Sequence, residues 1–258
     1  MSSIRERQFY RNGPIYAELE NSDFAAIRRQ FDFRSIRIGR WVTKAEQASV
    51  APQFHAALCD LMQILQVPEV VISLRGSLAL HYGTGGRPGV AAHYDAAQHT
   101  FALAKNAGPG SIAHEWFHAF DHYIAGQAFN ALSPSVFGSR AWLHDEEQIE
   151  HPLNQRLFAC YNAIMLNADG SAPSDLVKRS MKVDRAQGHL YFSLPEEVCA
   201  RAFESWIQDA RLKNHFLVKG TKESPEAKAG VYPRGAERDL IGQAFADYFS
   251  LLGRALRR

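Results

Sequence analysis

The sequence predicts an α+β chain whose first half carries a small, mostly antiparallel sheet and whose second half is mainly helical. Three observations predict it. Short alternating or β-branched apolar runs fall before about residue 105, and apolar positions at helical spacing dominate beyond Gly126. Between the two lies Ala113-His114-Glu115-Trp116-Phe117-His118-Ala119-Phe120-Asp121, a stretch of helical character that packs on the expected sheet. The expected organisation is a single catalytic domain over 1–258, with a sheet-bearing half, 1–126, and a helical half, 127–258.

Each element has a local reason. After a polar lead-in, Asp23 to Gln30 reads as a short helix. Phe31 to Val42 alternates apolar and polar residues, the period of a half-buried strand. Thr43 and Glu46 form a T-x-x-E capping box that opens a helix carrying Phe54, Leu58, Leu61, Met62 and Leu65, closed by Pro68. The β-branched run Val70 to Leu74 predicts a second strand and Leu78 to Tyr82 a third. Gly83 to Gly89 lacks the Gly-Lys-Ser/Thr ending of a phosphate-cradling loop, so it reads as a turn or a substrate-side flap. Ala92 to Asp95 and His99 to Ala104 read as a hairpin or a bent strand. Ser111 is placed to cap a helix from Ile112 to Ala125, with Gly126 past its end.

Downstream, Ser133 to Gly138 is irregular, and His151 to Leu166 and Ser174 to Lys182 are helices. Pro195 opens a further helix through Ile207. Lys219 to Arg238 reads as loop. Asp239 to Leu256 closes the chain as an amphipathic helix offering Leu240, Ile241, Phe245, Tyr248, Phe249 and Leu252 for burial.

Composition narrows the class. With 46% hydrophobic and 22% charged residues, the chain of 258 is ordinary for a globular enzyme. A net charge of +2 argues against a polyanionic partner, and the basic run Arg34 to Arg40 reads as a solvated face, so nucleic acid is not expected. Cys59, Cys160 and Cys199 are widely spaced, odd in number and free of any C-x-x-C, which indicates reduced interior thiols and a cytoplasmic protein. No window approaches a membrane span, and the N-terminus has no apolar signal region.

The chemistry is concentrated in H-E-x-x-H. On a helix, His114 and His118 stand one turn apart on one face, where two imidazoles can hold one Zn²⁺ with Glu115 beside the remaining position as general base. Catalytic zinc takes a third protein ligand. The compact H-E-x-x-H-x-x-G-x-x-H pattern fails, because Asp121 and Ile124 stand where it needs Gly and His. Glu196, Glu197 and Glu204 share one later helix, and Glu197 is the expected ligand, with Arg201 one turn on to orient it or to pair with Asp121. A surface ladder of Glu197, Arg201 and Glu204 is the alternative. Asp121, on the face of the two histidines, is placed to accept a ligating ring N–H or to form an ordinary salt bridge.

These residues carry a resemblance. Gln8 to Pro14, Phe33 to Ile36, Ile72 to Gly76, Gly83 to Gly86, Ala92 to Tyr94, Ala113 to Asp121, Pro195 to Glu197, Ala200 to Glu204 and Tyr232 to Gly235 together resemble the bacterial CLCA_X family of zincins. They are also similar to a zincin domain found in large multidomain phage and mobile-element proteins. More distantly the chain resembles lethal-factor-type catalytic domains, where an H-E-x-x-H-x-x-D helix precedes a Glu that opens a Phe- and Ala-rich helix. That resemblance implies a gluzincin-type fold, places the ligand Glu on Glu197 and places a catalytic Tyr near Tyr191. The expected function is therefore a zinc metallopeptidase holding one Zn²⁺ on His114, His118 and Glu197. Its substrate would be a peptide or protein, laid along His93 and Tyr94, with Tyr191, His189 or Tyr232 as oxyanion donor. The second reading is a zinc-binding accessory or regulatory domain associated with mobile elements or nucleic acid. Oligomeric state is not legible.

Overall fold

Residues 9–19, 22–84, 92–105 and 110–257 are described by a computed structural model. The flap expected at Gly83 to Gly89 lies mostly outside them. The chain divides into two units, residues 1–119 with 210–219 and residues 120–209 with 220–258. The first holds the sheet and the second is helical. The architecture is α+β, as expected.

In the first unit, Asp23 Oδ1 accepts from Ala26 N at 2.6 Å and starts α1 (Phe24–Phe31). Asp32, in the left-handed region at φ 56°, then turns the chain toward β1 (Ser35–Ile38). The strand expected from Phe31 is thus shorter, because Phe31 and Phe33 are buried from the end of a helix and its turn. The capping box forms as expected: Glu46 N donates to Thr43 Oγ1 and Thr43 N to Glu46 Oε2, opening α2 (Lys44–Leu65).

Val70 to Leu74 is not a strand. Glu69–Ile72 is one helical turn, α3, followed by Leu74 and Arg75 at φ 54° and 56°. So short a run, bounded by Pro68 and Gly76, buries Val71 and Ile72 equally well from a helical turn.

The sheet has the order β1-β2-β4-β3, with β2 Ala79–Tyr82, β3 Ala92–Asp95 and β4 Thr100–Leu103. It is mixed, not mostly antiparallel: β1/β2 and β2/β4 pair parallel, and only the hairpin β3/β4 is antiparallel. The crossover through α2 and α3 is long enough to return the chain to the same end before β2, as a parallel pair requires, whereas the short turn between β3 and β4 permits only an antiparallel pair. Phe31, Phe54, Leu58, Leu80, Phe101 and Trp116 are buried in this unit. Asp60, fully buried on α2, accepts from Arg11 Nε (2.6 Å), Tyr16 OH (2.8 Å) and Asn214 Nδ2 (2.8 Å), tying both outlying segments to the helix.

In the second unit, His151 caps α6 (Pro152–Met165) and Ser174 caps α7 (Asp175–Gln187), which runs beyond the expected Lys182 until Gly188 at φ 72°. Helix α8 spans Pro195–Asp209. The stretch expected to be loop contains α9 (Pro225–Ala229), and α10 (Gly235–Leu256) begins earlier than expected; α5 (Gly138–Leu143) was also not anticipated. Helices α6 and α8 pack on α10. Trp206 stacks on Phe245 and Phe249 with centroids 5.5 Å apart, and Phe203 meets both edge-on or tilted. Leu240 departs from expectation at 60% exposure, because its neighbour Ile241 takes the inward phase with Phe245, Tyr248 and Phe249. No helix among the described residues is long and apolar enough to cross a membrane.

Candidate metal centre

Helix α4 (Ile112–Ala128) is anchored at its start: Ala113 N donates to Leu217 O at 3.1 Å and Gly110 N to Phe216 O at 3.2 Å. Gly126 lies inside it, so the helix passes the residue expected to end it. Trp116 and Phe117 are fully buried, and Trp116 Nε1 donates to Ile72 O at 3.0 Å. With that face fixed, His118 is buried while His114 and Glu115 are half-buried.

The two imidazoles converge through the same atom. His114 Nε2 and His118 Nε2 lie 3.0 Å apart, with rings 79° from coplanar. That separation is a hydrogen-bond distance, and it is close to the roughly 3.3 Å at which two nitrogens about 2.0–2.1 Å from one tetrahedral ion would stand. Glu197 completes the donor set: one ligand atom from each of His114, His118 and Glu197 lies within 4.8 Å of the other two. The group can hold a metal ion. It is the only such group among the described residues, and the buried thiols Cys59, Cys160 and Cys199, which form no disulfide, are not part of it. Two imidazoles and a carboxylate suit zinc. Glu115 makes no side-chain hydrogen bond or ion pair with a described residue, which leaves its carboxylate available.

Helix α8 supports Glu197 from within. The ladder Glu197, Arg201, Glu204 is not on the surface; all three are buried, as is Glu196. Each buried carboxylate therefore needs its own partner. Glu196 pairs with Arg140, Glu204 accepts from Tyr232 OH at 3.1 Å, and Glu197 Oε2 accepts from Arg201 Nη1 at 3.1 Å. Arg201 thus pairs with Glu197. Its Nη2 donates to Phe192 O, and its guanidinium lies over the rings of Phe192 and Tyr191 at 5.1 and 5.8 Å.

Asp184, which sequence reasoning missed, holds that turn. Its carboxylate accepts from Tyr191 N (3.2 Å), Phe192 N (2.8 Å), Ser193 N (2.9 Å) and Ser193 Oγ (2.6 Å). Burial pushes its pKa up, but the donors from Ser193, Phe192 and Tyr191 outweigh burial and hold it below the ordinary value. No local spacing in the sequence links Asp184 to this turn, or Arg140 to Glu196.

The other expected site residues are placed as follows. Asp121 is fully buried and accepts from Ser139 N (2.9 Å), Ser139 Oγ (2.6 Å) and Tyr161 OH (2.6 Å), which makes it an interior hub for α5 and α6. Gly138 is required beside it, since a Cβ there would come within 2.7 Å of Tyr161 OH. Tyr191 is 40% exposed at the turn before α8. Tyr232 commits its hydroxyl to Glu204, and burial, then that carboxylate, raises its pKa. His189 is exposed. His93 and Tyr94 lie on β3, an edge strand, and alternate between its faces.

Residues 183–256 match the family model described as Large polyvalent protein-associated domain 1. That segment takes in the end of α7 and all of α8, α9 and α10; it contains Glu197 and Arg201 but not His114 or His118. No curated protein and no solved structure matches the chain.

Proposed function

We propose that the protein is a zincin-type, zinc-dependent metallopeptidase that hydrolyses peptide bonds. The observation that carries this reading is the grouping of His114, His118 and Glu197 around the H-E-x-x-H helix, with Glu115 left without a side-chain partner among the described residues. A zinc ion bound there acidifies water and polarises a carbonyl. His114 and His118 would bind it as neutral imidazoles through Nε2, and Glu197 would supply the negative charge while Arg201 fixes its rotamer. Glu115 takes the proton of the attacking water and returns it to the departing amine nitrogen. Tyr191, half-exposed at the turn that Arg201 holds, donates its phenolic hydrogen toward the developing oxyanion. An extended substrate would add along the edge strand β3, past His93 and Tyr94. Three buried free cysteines fit a reducing compartment, so the cytoplasm is the proposed location.

A second reading has one specific observation behind it. The match to a domain associated with large polyvalent proteins favours an accessory zinc-binding module without general proteolytic activity.

The two separate in one experiment. Zinc-loaded wild type and Glu115→Gln are offered a mixed peptide library, with cleavage read by mass spectrometry. The peptidase reading expects Glu115→Gln to keep its zinc and lose roughly 10²- to 10⁴-fold in rate. Equal cleavage by both proteins, or none by either, contradicts it; the latter is the result the accessory module gives.

A further inference from the structure

The basic run Arg34 to Arg40 plays no part in the metal centre, and the sheet register gives it a setting that composition hides. Residues in register on neighbouring strands share a face. Arg37 pairs with His81, His81 with Ala102, and Ala102 with His93, so one row crosses all four strands as Arg37, His81, Ala102, His93. The next row on that face is Ser35, Ala79, Thr100, Asp95. Arg34, just before β1, donates through Nη2 to Gln98 O in the turn joining β3 and β4, which stretches it across the width of the sheet. Four cationic or protonatable groups therefore face one carboxylate, over a floor of Ala79, Thr100 and Ala102.

Electrostatics agree with that placement. The pKa of His81 is held below its ordinary value by burial, then by Arg37, Arg34 and His93, with Asp95 opposing. Arg37 has no hydrogen-bond or ion-pair partner among the described residues. Arg34, Arg37 and His93 are all exposed.

An aromatic group lies in the turn three residues beyond β1. Trp41 is 81% exposed, although Trp is ordinarily among the more buried residues. Its backbone is anchored: Lys105 Nζ donates to the Trp41 carbonyl oxygen at 2.8 Å while pairing with Glu46 at 3.0 Å. Arginines that lack carboxylate partners, followed by an exposed indole, are the components of a single-strand platform, where cations track phosphates and an aromatic face stacks a base. An acidic peptide would use the charges but leave the indole without a role.

We propose that this face of the sheet binds single-stranded nucleic acid, with phosphates on Arg34 and Arg37, ring N–H donors from His81 and His93 beside them, and a base stacked on Trp41. The site uses no metal ligand, and it shares only His93 with the substrate path proposed above; the variants below are at residues that path does not use. It also revises the expectation that nucleic acid is not a partner, because a net charge of +2 averages over the chain what the register collects on one face.

The test is fluorescence anisotropy of a labelled single-stranded oligothymidylate with the full chain, from low to physiological salt. Wild type is expected to bind with a log–log salt dependence. Arg34→Ser/Arg37→Ser should weaken binding at least about 10-fold and reduce the slope by about 1.4, the value for two lost single-strand phosphate contacts. Trp41→Ala should weaken it roughly 5- to 100-fold with the slope unchanged. All three side chains are exposed, and Trp41→Ala tests the face by itself if the double variant loses its fold. Absence of binding at low salt, wild-type affinity in both variants, or equally effective competition by polyglutamate would overturn the proposal.

Discussion

Asp121→Ala is expected to destabilise the folded protein by about 3–5 kcal/mol, read as a shift in the denaturant midpoint. Asp121 is fully buried and accepts from three donors, Ser139 N, Ser139 Oγ and Tyr161 OH, at 2.6 to 2.9 Å. Removing the carboxylate leaves each of them short of an acceptor in the interior, at a cost of roughly 1–3 kcal/mol apiece before relaxation. Tyr161→Phe removes one donor and keeps the carboxylate bonded to Ser139, so it should cost about 1 kcal/mol. A loss under about 1 kcal/mol for Asp121→Ala would mean that water or a neighbouring group replaces the carboxylate, and that the hub is not structural. Because Asp121 follows His118 on α4, the same substitution should loosen the C-terminal part of the metal-motif helix.

Glu197→Gln is expected to lower zinc affinity more than about 100-fold, since losing a ligand should exceed the 10–100-fold effect of losing a supporting group around a metal. Gln is preferred to Ala here for a structural reason. Arg201 is buried and directs Nη1 to Glu197 Oε2, and an amide oxygen can still accept that bond. Glu197→Ala would leave a buried guanidinium without that acceptor, so lost metal and lost fold could not be told apart. Competition against a chromophoric chelator gives the affinity, and an unchanged thermal midpoint without metal confirms the fold. Zinc affinity within a few-fold of wild type would exclude Glu197 as a ligand.

What the sequence revealed follows the range of the interactions involved. The pair His114 and His118 is legible because helix periodicity alone brings the two rings together, and the structure places their Nε2 atoms 3.0 Å apart. The Thr43–Glu46 box and the start of α6 at His151-Pro152 are legible for the same local reason. Glu197 required one more step, a choice among three glutamates on one helix. What stayed hidden depends on long-range geometry. The parallel pairing of β1 with β2 depends on where α2 and α3 return the chain, which no residue pattern states. Arg140 and Asp60 act on partners far along the sequence, and Asp184 acts on a turn seven to nine residues on, whose path no helical or strand period states. The row Arg37, His81, Ala102, His93 exists only once the register is fixed, so its arginines read in sequence as an ordinary solvated run.

The central claim is that His114, His118 and Glu197 hold one metal ion, and X-ray absorption at the zinc edge on the zinc-loaded wild type tests it most directly. The expected result is one zinc per chain, with two imidazole nitrogens at about 2.0–2.1 Å and the remaining ligands oxygen. A sulfur shell at about 2.3 Å, or a chain that retains no zinc after dialysis, would contradict it.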